Sequence, residues 1–391
     1  MSSTVQPSTA AAPVTGRAPA VLQVVPALVT GGVERGTVEI AAALAQAGWR
    51  SIVASSGGPM VREIERAGAQ HITLPLATKN PFAIRRNISR LARLIEAENI
   101  DLVHARSRAP AWSAFYAARR TGRRFVTTFH NIYGGETRLK RAYNAIMARG
   151  ERVIAISDFV GAHASATYHV TPSQLRIIPR GVDRSRFDPE SIAQPRIITL
   201  AKEWRLQDGV PVVMLPGRVT RWKGHLQLIE AVASMPHREL QVLFVGSDDA
   251  KPGFRRELLR RIEQHRLGGV FHIVGECRDM PAAMMLADVV VSASTEPEGF
   301  GRVIVEAQAM GRPVIATDHG GARETVLPGE TGWLVPPGDR EALAHALTEA
   351  LSLGPDQRAA LAANARAWIA ERYDTQRMCE ATLAVYEELL F

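Results

Sequence analysis

The sequence predicts an α/β protein made of two doubly wound units in tandem, each a parallel sheet with helices on both faces. Three observations carry this. Strand-length apolar runs alternate with helix-length stretches of small and amphipathic residues, the order that a parallel sheet with crossover helices requires. The alternation stops over residues 180–189, which have no apolar period and carry turn residues, and then restarts. A chain of 391 residues is also longer than one ordinary core supports.

Taken in order, residues 20–26 read as the first strand. Gly31 and Gly32 follow, then a helix over 33–47 whose Val38, Ala42 and Leu44 suit packing on a sheet. Strand then helix repeats at 50–55 and 59–67, at 71–74 and 85–98, and at 102–104 and 109–120. Further strands are expected over 124–130, 153–157 and 175–179. Beyond the break come strand 211–215, helix 224–234, strand 240–245, helix 253–265 and strand 270–274. A helical 282–286 leads to strands 287–293 and 313–317, and Asp339 reads as the N-cap of a helix over 340–353. Helices from about 356 close the chain. The expected division is a disordered tail over 1–18, a first domain over 19–190 and a second over 191–374.

An apolar fraction of 46% and a charged fraction of 22% are those of a soluble globular protein. No apolar run is long enough to span a bilayer, and the Ser/Thr/Ala/Pro-rich start lacks the apolar centre of a signal peptide. With Cys277 and Cys379 as the two cysteines, a cytoplasmic location with reduced thiols is expected and a cysteine-ligated metal is not. The net charge of +8 is uneven: residues 1–195 hold 25 Lys/Arg against 13 Asp/Glu, and residues 196–391 hold 22 against 26. A basic first half suits an anionic partner such as a membrane surface or an anionic lipid-linked acceptor. A solvated arginine-rich surface explains it equally well. Without basic–aromatic interleaving or a recognised module, nucleic acid is not expected.

Four constellations could carry chemistry. In the first, the strand ending at Ala293 runs into Glu298-Gly-Phe-Gly301 and then a helix ending at Gly311. A glycine turn opening a helix leaves free N–H groups that suit an anion. Glu298 and Glu306, with seven residues between them, are better suited to hydroxyls of a sugar or ribose. A plain strand–turn–helix with solvated acids is the bland alternative, and the nearby Gly320-Gly321 turn weighs against it. The second is Gly217-Arg-Val-Thr-Arg-Trp-Lys-Gly224, where Arg218 and Lys223 could neutralise a diphosphate leaving group. A basic surface loop is the alternative there. The third is Gly31-Gly32, half of a dinucleotide fingerprint; with Ser55-Ser56 where an acidic ribose ligand would stand, a nicotinamide enzyme is disfavoured. The fourth is His130 at a strand end, with His104, Arg106 and Arg108 at a neighbouring one, where they could face an acceptor. No Asp-x-Asp pair occurs, and the adjacent Asp248-Asp249 lacks the spacing of a metal–diphosphate clasp. Arg218 and Lys223 would then do the work of a divalent metal, so no metal or cofactor is expected.

These residues resemble the retaining GT-B glycosyltransferases that carry an E-x7-E motif: Glu298 to Glu306 within EGFGRVIVE, the G-R-x4-K-G of Gly217 to Gly224, the first-loop Gly31-Gly32, and Ile178-Pro-Arg-Gly-Val-Asp183. Arg180 stands where that family usually has Asn. The resemblance implies two Rossmann-like domains with an interdomain cleft, the final helix over 375–391 crossing back to the first. It implies a UDP- or GDP-sugar donor on the second domain and a glycan or lipid-linked acceptor on the first. Glu306 would bind the ribose, Glu298 the donor sugar, and Arg218 and Lys223 the diphosphate. The backbone of Phe300, Gly301 and Arg302 would meet sugar and phosphate, and the loop from Gly275 to Arg278 the base. His130 would lie near the reaction centre. Longer phrases over 102–110 and 176–183 are similar to bacterial members of lipopolysaccharide or other surface-glycan assembly, which adds contact with the inner face of the membrane, through Arg85, Arg86, Arg90, Arg93 and residues 138–141, to the expectations. A nucleotide-sugar epimerase of the same fold and a non-catalytic nucleotide-sugar-binding partner are the alternatives.

Overall fold

Every one of the twelve strands expected from the apolar runs is present in the computed structural model, which describes residues 17–29, 31–134, 137–247 and 252–391. Asp248 and Asp249, and most of the expected tail, lie outside the described residues. In chain order the strands are β1 (Ala20–Val24), β2 (Arg50–Ser55), β3 (Gln70–Thr73), β4 (Leu102–Ala105), β5 (Arg124–Phe129), β6 (Arg152–Ala155), β7 (Leu175–Ile177), β8 (Val212–Pro216), β9 (Gln241–Val245), β10 (Phe271–Gly275), β11 (Val289–Ser292), β12 (Val314–Thr317) and β13 (Gly332–Val335).

They form two sheets. The first has the order β3-β2-β1-β4-β5-β6-β7 and the second β10-β9-β8-β11-β12-β13. All five neighbour pairs of the second sheet are parallel. Each sheet reverses its winding once, at β1/β4 and at β8/β11, the points where ligands of such sheets bind. The strands are apolar on both sides because helices cover both faces. In the second sheet Val213, Leu215, Phe244, Val289 and Val291 pack with Leu228, Ile229 and Val232 from the His225–Ser234 helix.

The chain divides into two compact units: the described part of Met1–Ile154 with Ser165–Arg176 and Cys379–Phe391, and Ala155–Ala164 with Ile177–Met378. Within the first unit the end of the chain is held by Tyr386, fully buried, and by Glu388, which accepts from both Arg152 and Arg176. Those two guanidiniums pull the Glu388 carboxyl down to about 2.

Two features differ from what the apolar pattern suggests. Residues 180–189, where the alternation stops, belong to the second unit and are packed at their start. Arg180 and Val182 are buried, Gly181 lies against Thr375 so closely that a Cβ would sit 2.3 Å from its Cα, and Val182 bridges to Asp374. The apolar period is absent there because the segment is fixed by single close contacts rather than by one face. Strand β13 was not expected at all. It is four residues long, begins at Gly332 and stands at a sheet edge, and Gly332 is needed because a Cβ would meet the Val314 carbonyl oxygen at 2.5 Å.

Candidate active site

The second unit gathers its polar side chains where β8 and β11 end. Strand β8 leads through Gly217 to a 3-10 turn over Arg221–Lys223 and then to the His225–Ser234 helix. Gly224 makes this turn possible. Its φ of 80° is left-handed, and a Cβ would lie 1.9 Å from the Ala293 carbonyl oxygen. The loop after β8 therefore touches the strand exit after β11, and the Thr295 N–H donates to the Trp222 carbonyl at 2.7 Å.

That contact brings Lys223 to Glu298. Lys223 Nζ donates to Glu298 Oε2 at 2.8 Å, with the two side chains 15% and 19% exposed. Ser292 and Ser294 donate to the other carboxylate oxygen, at 3.3 and 2.5 Å. Burial alone would raise the Glu298 pKa, but the Lys223 charge and the three donated hydrogen bonds outweigh it and hold the carboxyl below its ordinary value. Glu298 is thus an ionised, largely desolvated carboxylate with one movable cationic partner. The serines flanking Ala293 were not singled out from the sequence. Their legible signal was an S-x-S placed just ahead of the acidic turn.

The turn itself is held from below. Gly321 N–H donates to the Glu298 carbonyl, and Cβ atoms on Gly320 or Gly321 would press on the backbone of Glu298 and Phe300 at 2.4 and 2.5 Å. Thr317 and His319 both bond the Ser294 carbonyl, and Ser157 donates to the Gly299 carbonyl. Gly301, at φ 81°, opens the Arg302–Ala309 helix with no side chain capping it. The helix stops at Ala309, with Gly311 in the left-handed region just beyond. Glu306 stands one turn into this helix, paired with Arg302 at 2.9 Å. A small pocket of about 10 Å³ opens among Ser292, Ser294, Glu298, Gly301, Thr317 and His319. A larger cavity of about 480 Å³, between Asp158, Glu324, Tyr373 and Arg377, is elsewhere in the unit, and Glu324 there already caps the N–H groups of Asp158 and Phe159.

Other expected donor residues are placed less tightly. Arg218 is exposed beside Gly217, against whose carbonyl Gly246 lies too close to carry a Cβ. Gly275 ends β10 at φ 78°, and Arg278 is exposed in the loop that follows. Phe300 is buried and meets Tyr373 edge to face at 5.5 Å, so its backbone alone remains to contact a ligand.

In the first unit, Gly31 caps the Gly32–Gln46 helix in an extended conformation, and a Cβ on Gly32 would meet nothing within 4 Å. A Cβ on Gly31 would press on the Glu34 carboxylate, the far end of a flexible side chain, so backbone packing demands neither glycine. His130 follows β5 and is half-buried. The acceptor-side expectation is corrected for two residues. His104 is fully buried, with Nδ1 at 2.6 Å from the Tyr386 hydroxyl and Nε2 at 2.7 Å from Thr128 Oγ1. Arg106 is also buried, donating to Gln23 at 3.3 Å, and that burial lowers its pKa. Both side chains are taken up by partners in the interior and are not exposed to an acceptor. Arg108 remains partly open, bonded to Asn144 and lying 4.4 Å over the Tyr133 ring.

Residues 197–368 match the family described as glycosyl transferases group 1, and residues 30–186 match Glycosyltransferase Family 4. A GDP-mannose-dependent alpha-(1-6)-phosphatidylinositol monomannoside mannosyltransferase of Mycolicibacterium smegmatis is 31% identical over 301 residues, covering 73% of this chain and 76% of that one. Among solved structures, a glycosyltransferase from Rickettsia africae is 38% identical with a TM-score of 0.89, covering 95% of this chain and 99% of that one. Anabaena HepE in complex with UDP and glucose shares the fold at 24% identity and a TM-score of 0.83, covering 95% and 100%.

Proposed function

The chain belongs to the glycosyl transferases group 1 family, and we propose that it is a retaining glycosyltransferase that moves a hexose from a UDP- or GDP-sugar to a hydroxyl of a glycan or glycolipid acceptor in lipopolysaccharide or other surface-glycan assembly. The observation that carries this reading is the Lys223–Glu298 pair at the carboxyl end of the second sheet, with Glu298 in the turn that leads into the helix carrying Glu306. A paired cation and carboxylate can part to meet two groups of opposite need: Lys223 a diphosphate oxygen, Glu298 a sugar hydroxyl.

In this reaction the bond from the anomeric carbon to the leaving phosphate oxygen breaks, and one to the acceptor oxygen forms on the same face. The acceptor proton goes to the departing phosphate. Lys223, Arg218 and the N–H groups from Gly301 onward meet the developing negative charge. Glu298 positions the transferred sugar rather than attacking it, and Glu306 accepts from the ribose hydroxyls. Arg218 and Lys223 take the role of a divalent metal, so turnover should survive EDTA. Gly31 and Gly32 are assigned to the donor, His130 to the reaction centre, and Gly275 and Arg278 to the base, by resemblance alone. The mannosyltransferase relative makes GDP-mannose the first sugar to try.

The test is a thermal-shift screen against UDP, GDP, ADP and their sugars, since a ligand that binds the native state raises its melting temperature. One nucleotide series should stabilise the protein, and its sugar should turn over with a retained anomeric configuration by NMR. Absence of any shift, or near-wild-type activity in both Lys223→Ala and Glu306→Ala, would overturn the site.

A further inference from the structure

His225 is the first residue of the His225–Ser234 helix and is fully buried. Its ring stands edge-on to Phe244 at 4.8 Å and to Phe254 at 6.2 Å between centroids. A histidine in such apolar company is costly, because each ring nitrogen calls for a hydrogen-bond partner. Nδ1 has one, the Thr220 carbonyl oxygen at 3.3 Å. Nε2 is buried and has none among the described residues. Burial pushes the imidazole pKa down to about 4, so the ring is uncharged in neutral solution. A carbonyl oxygen only accepts, so the single ring proton sits on Nδ1.

A phenylalanine would occupy this apolar site without leaving a nitrogen unpaired. What the histidine adds is one N–H, and that N–H is directed at the loop carrying Arg218 and Lys223. Thr220 is the residue from which the Arg221–Lys223 turn starts. Its carbonyl accepts a second bond from the Lys223 N–H, at 3.1 Å. The atom that His225 holds is therefore one that fixes the backbone of Lys223. Phe254, which borders His225, also lies under Arg221 at 5.1 Å, and Arg221 donates to Glu257 at 2.8 Å. Arg221 is thus engaged away from the carboxylate, and Lys223 is the cation of this turn that meets Glu298.

We propose that His225 is a positioning residue for the diphosphate: its Nδ1–H fixes the Thr220 carbonyl and so sets where Lys223 places its ammonium group when a ligand draws it from Glu298. This rests on the reading that Lys223 meets a diphosphate. It extends that reading to a buried side chain that touches no substrate.

The full chain is titrated with UDP and with GDP in a calorimeter. The nucleotide that binds wild-type protein should bind His225→Phe about tenfold more weakly. The melting temperature of His225→Phe without ligand should stay at or above the wild-type value, since the unpaired Nε2 is gone. His225→Asn offers an amide N–H in place of Nδ1–H and should bind within about twofold of wild type. In the Lys223→Ala background, His225→Phe should change affinity by less than about twofold, because a residue that acts through Lys223 has nothing left to act on. Wild-type affinity in His225→Phe, an equal loss in His225→Phe and His225→Asn, or full additivity with Lys223→Ala overturns the assignment of His225 alone. Wild-type protein that binds neither UDP nor GDP overturns the donor reading, and this assignment with it.

Discussion

The two units are built alike, yet the polar residues at their strand ends meet different fates. In the second, Lys223, Glu298, Ser292 and Ser294 converge on one another, and the glycines around them are demanded by backbone contacts. In the first, His104 and Arg106 are consumed by the core, while Gly32 answers to no contact and Gly31 only to the flexible Glu34 side chain. A strand-end charge is therefore not a site by position alone. What distinguishes Glu298 is that its partner is a flexible cation that a ligand can replace, whereas His104 is tied to a tyrosine and a threonine inside a packed interior.

Substitutions can break or sharpen that contrast. The largest effect is expected for Lys223→Ala, which strands the Glu298 carboxylate: kcat/KM should fall about 100-fold or more. The pH profile gives the sign. Glu298 is held below the ordinary carboxylate value, so the contribution of its ionised form is present above the unfolded-state pKa and is lost as pH falls through the folded-state one. Removing Lys223 raises that folded-state pKa, and the acid limb of activity should move to higher pH. Gly224→Ala should come next, costing on the order of 3 kcal/mol in urea unfolding because the new methyl group meets the Ala293 carbonyl. By contrast, Gly32→Ala should leave stability within about 0.5 kcal/mol, and any loss of nucleotide affinity there would reveal a close approach that the apo fold does not explain. Glu306→Ala should weaken nucleotide binding by about tenfold in calorimetry, without a large change in melting temperature. Tyr386→Phe leaves a buried His104 nitrogen without its hydroxyl and should cost about 1–2 kcal/mol of stability with activity kept.

The sequence was most readable where one short-range rule governs. Strands buried on both faces announce themselves as apolar runs, and all twelve expected runs are strands. The turn around Glu298 was visible as glycines between a strand and a helix. What stayed hidden depends on partners distant in the chain. Nothing near Lys223 points to Glu298, 75 residues away, and nothing near His104 points to Tyr386, 282 residues away. A histidine at a strand end looks the same in both cases until the sheet is assembled and one sees whether that end is covered. Strand β13 and the packing of residues 180–189 left no signal for a related reason: each is fixed by single glycine contacts, which leave no periodic trace.

The tie between His104 and Tyr386 also bears on how the molecule is made. The first unit takes in Cys379–Phe391, so it cannot close its interior while it is being synthesised. It must wait, lacking one of its largest buried side chains, until the whole second unit has been translated. During that interval the second unit can settle first, reversing the usual order in which domains mature along a growing chain. A protein cut short before residue 379 would then carry an intact second unit beside one that never finished folding, a product that proteolysis would remove from one end only.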